Sequence, residues 1–330
     1  AVIEDVRNRG VAAIAELSNR FDGFIADPLW ASQQELDEAL DALPTELRAA
    51  IEESISRVTQ VSQDALPTTS TTTLSGGGEV ITRYVPIESV GLYVPGGKAV
   101  YPSSVVMNVV PAQVAGAKRL VIATPGQKEF AGRAHPVVLA TAKLLGVRDV
   151  LVVGGPAAIA ALAYGLDEIG LESVDLITGP GNIYVAAAKR LVRGTVGIDS
   201  EAGTTEILVI ADETANARFV ALDLISQAEH DEAAASVLVT DSEALAHAVA
   251  NHLEELTVEA QHSERIAIAL AGQQSAIVLV DSINEAVEFA NAYATEHLEI
   301  MTANADEVLA RITNAGAIFV GDYSPVALGD

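Results

Sequence analysis

Three short segments of this chain hold the side chains best suited to chemistry: Ser226-Gln227-Ala228-Glu229-His230-Asp231, Thr295-Glu296-His297 and Gly329-Asp330. Together they offer an amide oxygen, two imidazoles and several carboxylates, the groups that a zinc-assisted alcohol oxidation needs. Gln227 and His230 are three apart, so on a helix running from Asn216 to His230 they share a face at its C-terminal end. Zinc accepts both donor types, although glutamine is an uncommon ligand, and a Q-x-x-H pair by itself reads equally as a polar helix end. Glu229 lies off that face, as a partner of a ligand or as a solvated residue. On a regular helix Glu296 and His297 would diverge by about 100 degrees. They read either as a helix end, or as groups flanking a substrate at a loop or helix start, one taking an alcohol proton and the other activating water. His247, His252 and His262 fall in polar helical stretches and His135 precedes Pro136 at a helix start; these read as surface residues.

Composition bounds what such groups can do. With 330 residues, 50% of them hydrophobic, the chain buries a full core in two domains or one large one. It has no cysteine, so a bound metal must be held by nitrogen and oxygen. A formal charge of -26 opposes the phosphate backbone, which excludes nucleic acid as an expected partner. No apolar run approaches the roughly 18 residues of a membrane span, and no cleavable leader pattern opens the chain, so a soluble, cytoplasmic protein is expected.

The elements that must position these groups alternate. Residues 1 to 62 read as helices, from the spacing of Val6, Ile14, Leu17 and Phe21 and then of Leu47, Ile51 and Val58. The Thr/Ser/Gly stretch from Pro67 to Gly78 reads as a surface loop before a sheet-edge strand at 80–85. Short apolar runs then recur at 119–125, 149–155, 174–181, 206–212, 235–241, 276–281 and 317–322. Most are separated by helix-length segments, the pattern of parallel strands covered by helices. The expected class is α/β, with two Rossmann-like parallel-sheet domains and a cleft between them. One domain comprises 1–92 plus 204–330; the other, 93–203, is inserted into it. Glycine-rich turns at Val94-Pro95-Gly96-Gly97, Gly154-Gly155-Pro156 and Gly179-Pro180-Gly181-Asn182 serve either as tight turns or as phosphate cradles. The G-x-G-x-x-G and Walker patterns are absent.

The chain resembles the histidinol dehydrogenase family in Gly91-Leu92-Tyr93-Val94-Pro95-Gly96-Gly97, in Tyr101-Pro102-Ser103-Ser104, in the run from Gly179 to Lys189, in Ser226 to Asp231, and in Glu296-His297-Leu298-Glu299. Their order and spacing correspond over essentially the whole chain. The resemblance implies oxidation of L-histidinol to L-histidine through an aldehyde, using two NAD in succession and a zinc ion that chiefly holds the amino alcohol in place. By position, Gln227, His230 and Asp330 correspond to zinc ligands that also meet substrate. His297 corresponds to the base for the alcohol proton and to a substrate contact, and Glu296 to the base for the water that adds to the aldehyde. Tyr93 and Asn182 correspond to dinucleotide contacts.

Three departures accompany the resemblance. The family's Gly-Gly-Ala-Gln is here Gly154-Gly155-Pro156-Ala157, which removes one expected cofactor contact. The family's Ala-Gly-Pro-Ser-Glu is Ala202-Gly203-Thr204-Thr205-Glu206, so Thr205 would offer the substrate-contacting hydroxyl with an added methyl. The chain stops at Asp330, whereas the family continues into a region that supplies a further zinc-ligand histidine and substrate contacts across an intertwined homodimer. Ala1 also starts within an apparent helix, so truncation at both ends is expected. The alternatives are a paralogue oxidising another small polar alcohol and a noncatalytic binding relative.

Overall fold

The computed structural model describes residues 1–96, 100–201 and 205–326. The chain divides into two compact units, Ala1–Gly203 and Thr204–Asp330.

In the first unit, helices α1 (Val2–Arg9), α2 (Val11–Phe21), α3 (Gln33–Asp41) and α4 (Thr45–Asp64) precede a hairpin of β1 (Ser70–Thr73) and β2 (Glu79–Thr82). An alternating series follows: β3 (Ser89–Tyr93), α5 (Pro102–Val114), β4 (Arg119–Thr124), α6 (Pro136–Leu144), β5 (Asp149–Val152), α7 (Gly155–Tyr164), β6 (Leu176–Thr178), α8 (Ile183–Val192) and β7 (Gly197–Ile198). The sheet order is β5-β4-β3-β6-β7, with every pairing parallel. Helices cover both faces, which is why β3 is buried throughout and β4 and β5 read as continuous apolar runs.

Two expectations change here. Residues 1–92 do not join 204–330: α1 packs on α7, α3 on α6 and α4 on α5, all inside the first unit. The cause is the exposed edge of β5. Residues 29–31 lie antiparallel beside it, with the Ala31 N–H donating to the Val150 carbonyl and the Val152 N–H to the Leu29 carbonyl. Arg133 then clamps Glu35 through Nε and Nη2 at 2.6 and 3.0 Å, and Trp30 Nε1 donates to the Ile169 carbonyl. The strand expected at 80–85 exists as β2, but it pairs with β1 in an exposed two-stranded hairpin rather than at the edge of a larger sheet. The strand that does enter the sheet is β3, which Gly91 had hidden from a reading of apolar runs; a Cβ there would meet Leu162 at 2.9 Å.

The second unit repeats the plan: β8 (Glu206–Ala211), α9 (Ala217–Ala228), β9 (Ala235–Thr240), α10 (Glu243–Glu259), α11 (Ser263–Ala271), β10 (Ala276–Leu279), α12 (Ile283–Tyr293), β11 (His297–Met301), α13 (Ala305–Leu309) and β12 (Ala317–Val320). The order β10-β9-β8-β11-β12 is again all parallel and repeats the order of the first sheet, as in the first five strands of a Rossmann sheet. One face packs against α9 and α10 through Ile207, Val209, Leu224, Leu238 and Met301. The other packs against α12 and α13 through Leu208, Ile210, Leu298, Ile300 and Val308. The alternation along β11 therefore puts His297, Glu299 and Met301 on the α9 side.

Candidate active site

Helix α9 begins where the Asn216 side chain accepts the N–H groups of Arg218 and Phe219, and it ends just before His230. Because α9 runs back against parallel strands, its end lies by the amino-terminal edge of the sheet. There the Ala235 N–H donates to the Thr205 carbonyl as the chain enters β9. Helix α12 ends at the same edge. Ala294, at φ 56, breaks it, and Thr295 turns the chain into β11. Glu296 and His297 are therefore a strand start and not a helix end. Gly316 is required beside them, since a Cβ would lie 2.6 Å from the Glu296 carbonyl oxygen.

A continuous hydrogen-bonded chain crosses this edge. Gln227 Nε2 donates to Thr205 Oγ1 at 2.8 Å, and the Thr205 hydroxyl donates to Glu296 Oε2 at 2.8 Å. The Glu206 N–H donates to the same carboxylate oxygen at 3.3 Å, while the Glu296 N–H donates to Glu206 Oε1 at 3.2 Å. Tyr293 donates to Glu206 Oε2 at 3.4 Å; burial and the neighbouring Glu206 carboxylate push its phenol pKa up. His297 Nδ1 lies 3.1 Å from the Glu206 carbonyl oxygen and 3.8 Å from Glu296 Oε2. A carbonyl oxygen only accepts, so Nδ1 carries the hydrogen and Nε2 presents its lone pair. The arrangement is an oriented imidazole base beside a carboxylate with one oxygen engaged, which suits proton removal at two neighbouring positions.

The donor set fits a borderline metal such as zinc in part. Gln227 is buried, and with Nε2 committed to Thr205 its Oε1 is the atom of that amide suited to a cation. His230, exposed at the end of α9, supplies an imidazole three residues on. Asp330 lies outside the described residues, and among those described no group of three or more His, Asp or Glu residues is gathered as a metal cluster. Thus Thr205, Gln227, Glu296 and His297 are brought together, with His230 on the adjoining helix end. Glu229 instead faces His262, 3.6 Å away, and its carbonyl accepts from Arg265.

Tyr93 and Asn182 belong to the first unit, at the carboxyl-terminal edge of its sheet, where open α/β sheets gather ligands. Tyr93 is buried; its hydroxyl accepts the Gly155 N–H at 3.0 Å and burial pushes its pKa up. Asn182 caps α8 by accepting the N–H groups of Tyr184 and Val185 with Oδ1, leaving its NH2 group as a donor. Behind this turn, buried Lys189 pairs with Asp199 and donates to the Gly179 carbonyl, while the Gly179 N–H donates to Asp199. Gly179 sits at φ 116, and a Cβ there would lie 2.0 Å from the Tyr93 carbonyl oxygen. Ala157 is buried in α7. A groove of about 510 Å³ lined by Arg193–Glu201 contains neither Tyr93 nor Asn182 and is made by a single chain segment, so the hydrogen-bonded geometry is the better guide.

Sequence reasoning gave no role to Glu206, Asp223 or Glu299. Glu206 is visible only as the last residue of the Thr205 segment. Glu299 follows His297 by two, which on a strand is the same face, but a helix or loop reading of Glu296-His297 hides that relation. Glu299 is fully buried and neither carboxyl oxygen has a hydrogen bond of full geometry. Burial first, then the nearby Asp223 and Asp322 carboxylates, pushes its pKa up to about 9. Asp223 on α9 is also raised, chiefly by burial, and it accepts the Val326 N–H.

Known proteins share this sequence and fold. A family model described as histidinol dehydrogenase matches residues 1–330. The histidinol dehydrogenase of Leifsonia xyli subsp. xyli is 58% identical over 329 residues, covering 100% of this chain and 76% of that protein. That of Thermobifida fusca is 56% identical over 329 residues, covering 100% and 75%. The crystal structure of histidinol dehydrogenase from Elizabethkingia anophelis matches with a TM-score of 0.93 at 34% identity, covering 99% of this chain and 75% of that one. With the sequence match running from end to end and the same fold in a solved relative, the chain belongs to the histidinol dehydrogenase family of oxidoreductases.

Proposed function

We propose that this protein oxidises L-histidinol to L-histidine through histidinaldehyde, with two NAD and a zinc ion, as the last step of histidine biosynthesis, and that it works as a cytoplasmic homodimer. The observation that carries the reading is the pairing of His297 with Glu296: Nδ1 donates to the Glu206 carbonyl at 3.1 Å, which leaves Nε2 as a base beside a carboxylate held by Thr205. In the first half-reaction His297 Nε2 takes the proton of the primary alcohol while the carbinol carbon gives hydride to NAD, leaving the aldehyde. In the second, Glu296 takes a proton from water as the oxygen adds to the aldehyde carbon and His297 returns a proton to the aldehyde oxygen; the hydrate then gives hydride to a second NAD as His297 takes one hydroxyl proton, and the remaining acid proton passes to solvent, leaving the carboxylate. Both bases lie at one strand start, so the same bound substrate meets them in turn.

Gln227 and His230, with Asp330, would hold the zinc ion, which when bound supplies a template for the amino alcohol and polarises its oxygen. Tyr93 and the Asn182 turn would meet NAD, with the α8 N-terminus favouring the pyrophosphate. The test is NADH formation from histidinol by wild type and by His297→Asn. Turnover is expected to fall about 10²- to 10⁴-fold in the variant, with histidinol binding by calorimetry retained. Wild-type NADH formation from other amino alcohols and none from histidinol would move the assignment to a paralogous dehydrogenase.

A further inference from the structure

The pair formed by Asp223 and Glu299 is not used by the chemistry above, yet it joins the elements that carry that chemistry. Asp223 lies one helical turn before Gln227 on α9, and Glu299 lies one strand repeat after His297 on β11, on the side that faces α9. Asp223 also accepts the N–H of Val326, four residues before Asp330. Two carboxyls have thus been placed between a helix, a strand and the start of a terminal segment, where Val209, Leu224 and Met301 form an otherwise apolar layer. A leucine at 299 would suit that layer better than a carboxyl whose two oxygens lack well-formed partners.

We propose that Asp223 and Glu299 are positioning residues, a buried carboxyl pair that locks the end of α9 against β11 and the loop at Val326, and so fixes Gln227 and His230 relative to His297. The proposal rests on the zinc and acid/base roles assigned above. Two facing buried carboxyls cannot both be ionised, so one holds the proton and donates to the other. The raised pKa of both agrees with this, and Glu299, the more deeply buried, is the donor. Asp223 remains the acceptor for Glu299 and for the Val326 N–H together. Only a neutral donor at 299 satisfies this arrangement.

The experiment compares Glu299→Gln, Glu299→Leu and Asp223→Ala in the full-length enzyme. It measures zinc affinity by chelator competition, kcat and KM for histidinol, and Tm. Glu299→Gln keeps a neutral donor and is expected to stay within about 3-fold of wild type in zinc affinity and kcat. Glu299→Leu and Asp223→Ala are expected to lose about 10-fold or more in zinc affinity, with the leucine variant keeping or raising Tm. Unchanged zinc affinity and kcat in Glu299→Leu would overturn the proposal, and so would equal losses in all three variants that track Tm. Should Glu299→Leu not fold, the contrast between Glu299→Gln and Asp223→Ala decides alone, and equal loss in both rejects the pair. If wild type binds zinc but does not oxidise histidinol, the assigned reaction falls while the zinc measurements still judge the positioning role.

Discussion

A hydroxyl group has one proton to give, and Thr205 gives it to Glu296 while accepting from Gln227. That single residue links an expected metal ligand to an expected base. Replacing it with Ser should preserve both bonds and hold kcat/KM within about 3-fold. Replacing it with Val leaves Gln227 Nε2 and Glu296 Oε2 short of a partner, which costs about 1–3 kcal/mol, or roughly 10- to 100-fold in kcat/KM. Steady-state kinetics with histidinol check both, and equal activity of the two variants would show that the hydroxyl is idle. The types of these residues were readable in the sequence, since glutamine and histidine three apart point to one helix face. The Thr205 bridge was not readable, because it joins positions 22 and 91 residues apart in the chain.

Among the elements, the Gly179-to-Asn182 turn is the one most dependent on a buried charge. Buried Lys189 pairs with solvent-facing Asp199 and satisfies the Gly179 carbonyl, so Lys189→Met leaves that carbonyl short of its donor while water takes over at Asp199. The expected loss is about 1–2 kcal/mol in urea unfolding, with a raised KM for NAD if the turn meets the cofactor. Most strands were legible as apolar runs ended by Gly, Pro or Asp, because strands covered on both faces need apolar side chains throughout. Four strands escaped: β1, which is polar and exposed within the stretch expected as a loop, β7, which has two residues, and β3 and β11. Gly91 interrupts β3 so that Leu162 can approach it, and β11 carries His297 and Glu299 on a buried face, which breaks the apolar pattern. Where a strand carries function, its pattern is the least regular.

Over the whole molecule, the sequence placed the helices of residues 1–62 against the wrong sheet, because periodicity identifies an apolar face and not the surface that it covers. One contact that fastens them to the first sheet, Arg133 with Glu35, also makes the first unit sensitive to acid. The Arg133 guanidinium holds the Glu35 carboxyl well below its usual 4.5, at about 2. A depressed carboxyl contributes stability that is present above about pH 4.5 and is lost as pH falls toward about 2. Glu35→Gln should therefore cost about 2 kcal/mol near neutral pH and less at low pH, as read by urea unfolding at several pH values. Among the described residues no helix is long and apolar enough to cross a membrane. The two sheets share one strand order but present opposite edges to their expected ligands. At the carboxyl edge of the first, α7 and α8 begin with fractional positive charge; at the amino edge of the second, α9 and α12 end with carbonyls and fractional negative charge. One supersecondary plan used from its two ends thus gives the two candidate sites opposite local polarity, positive at the first and negative at the second.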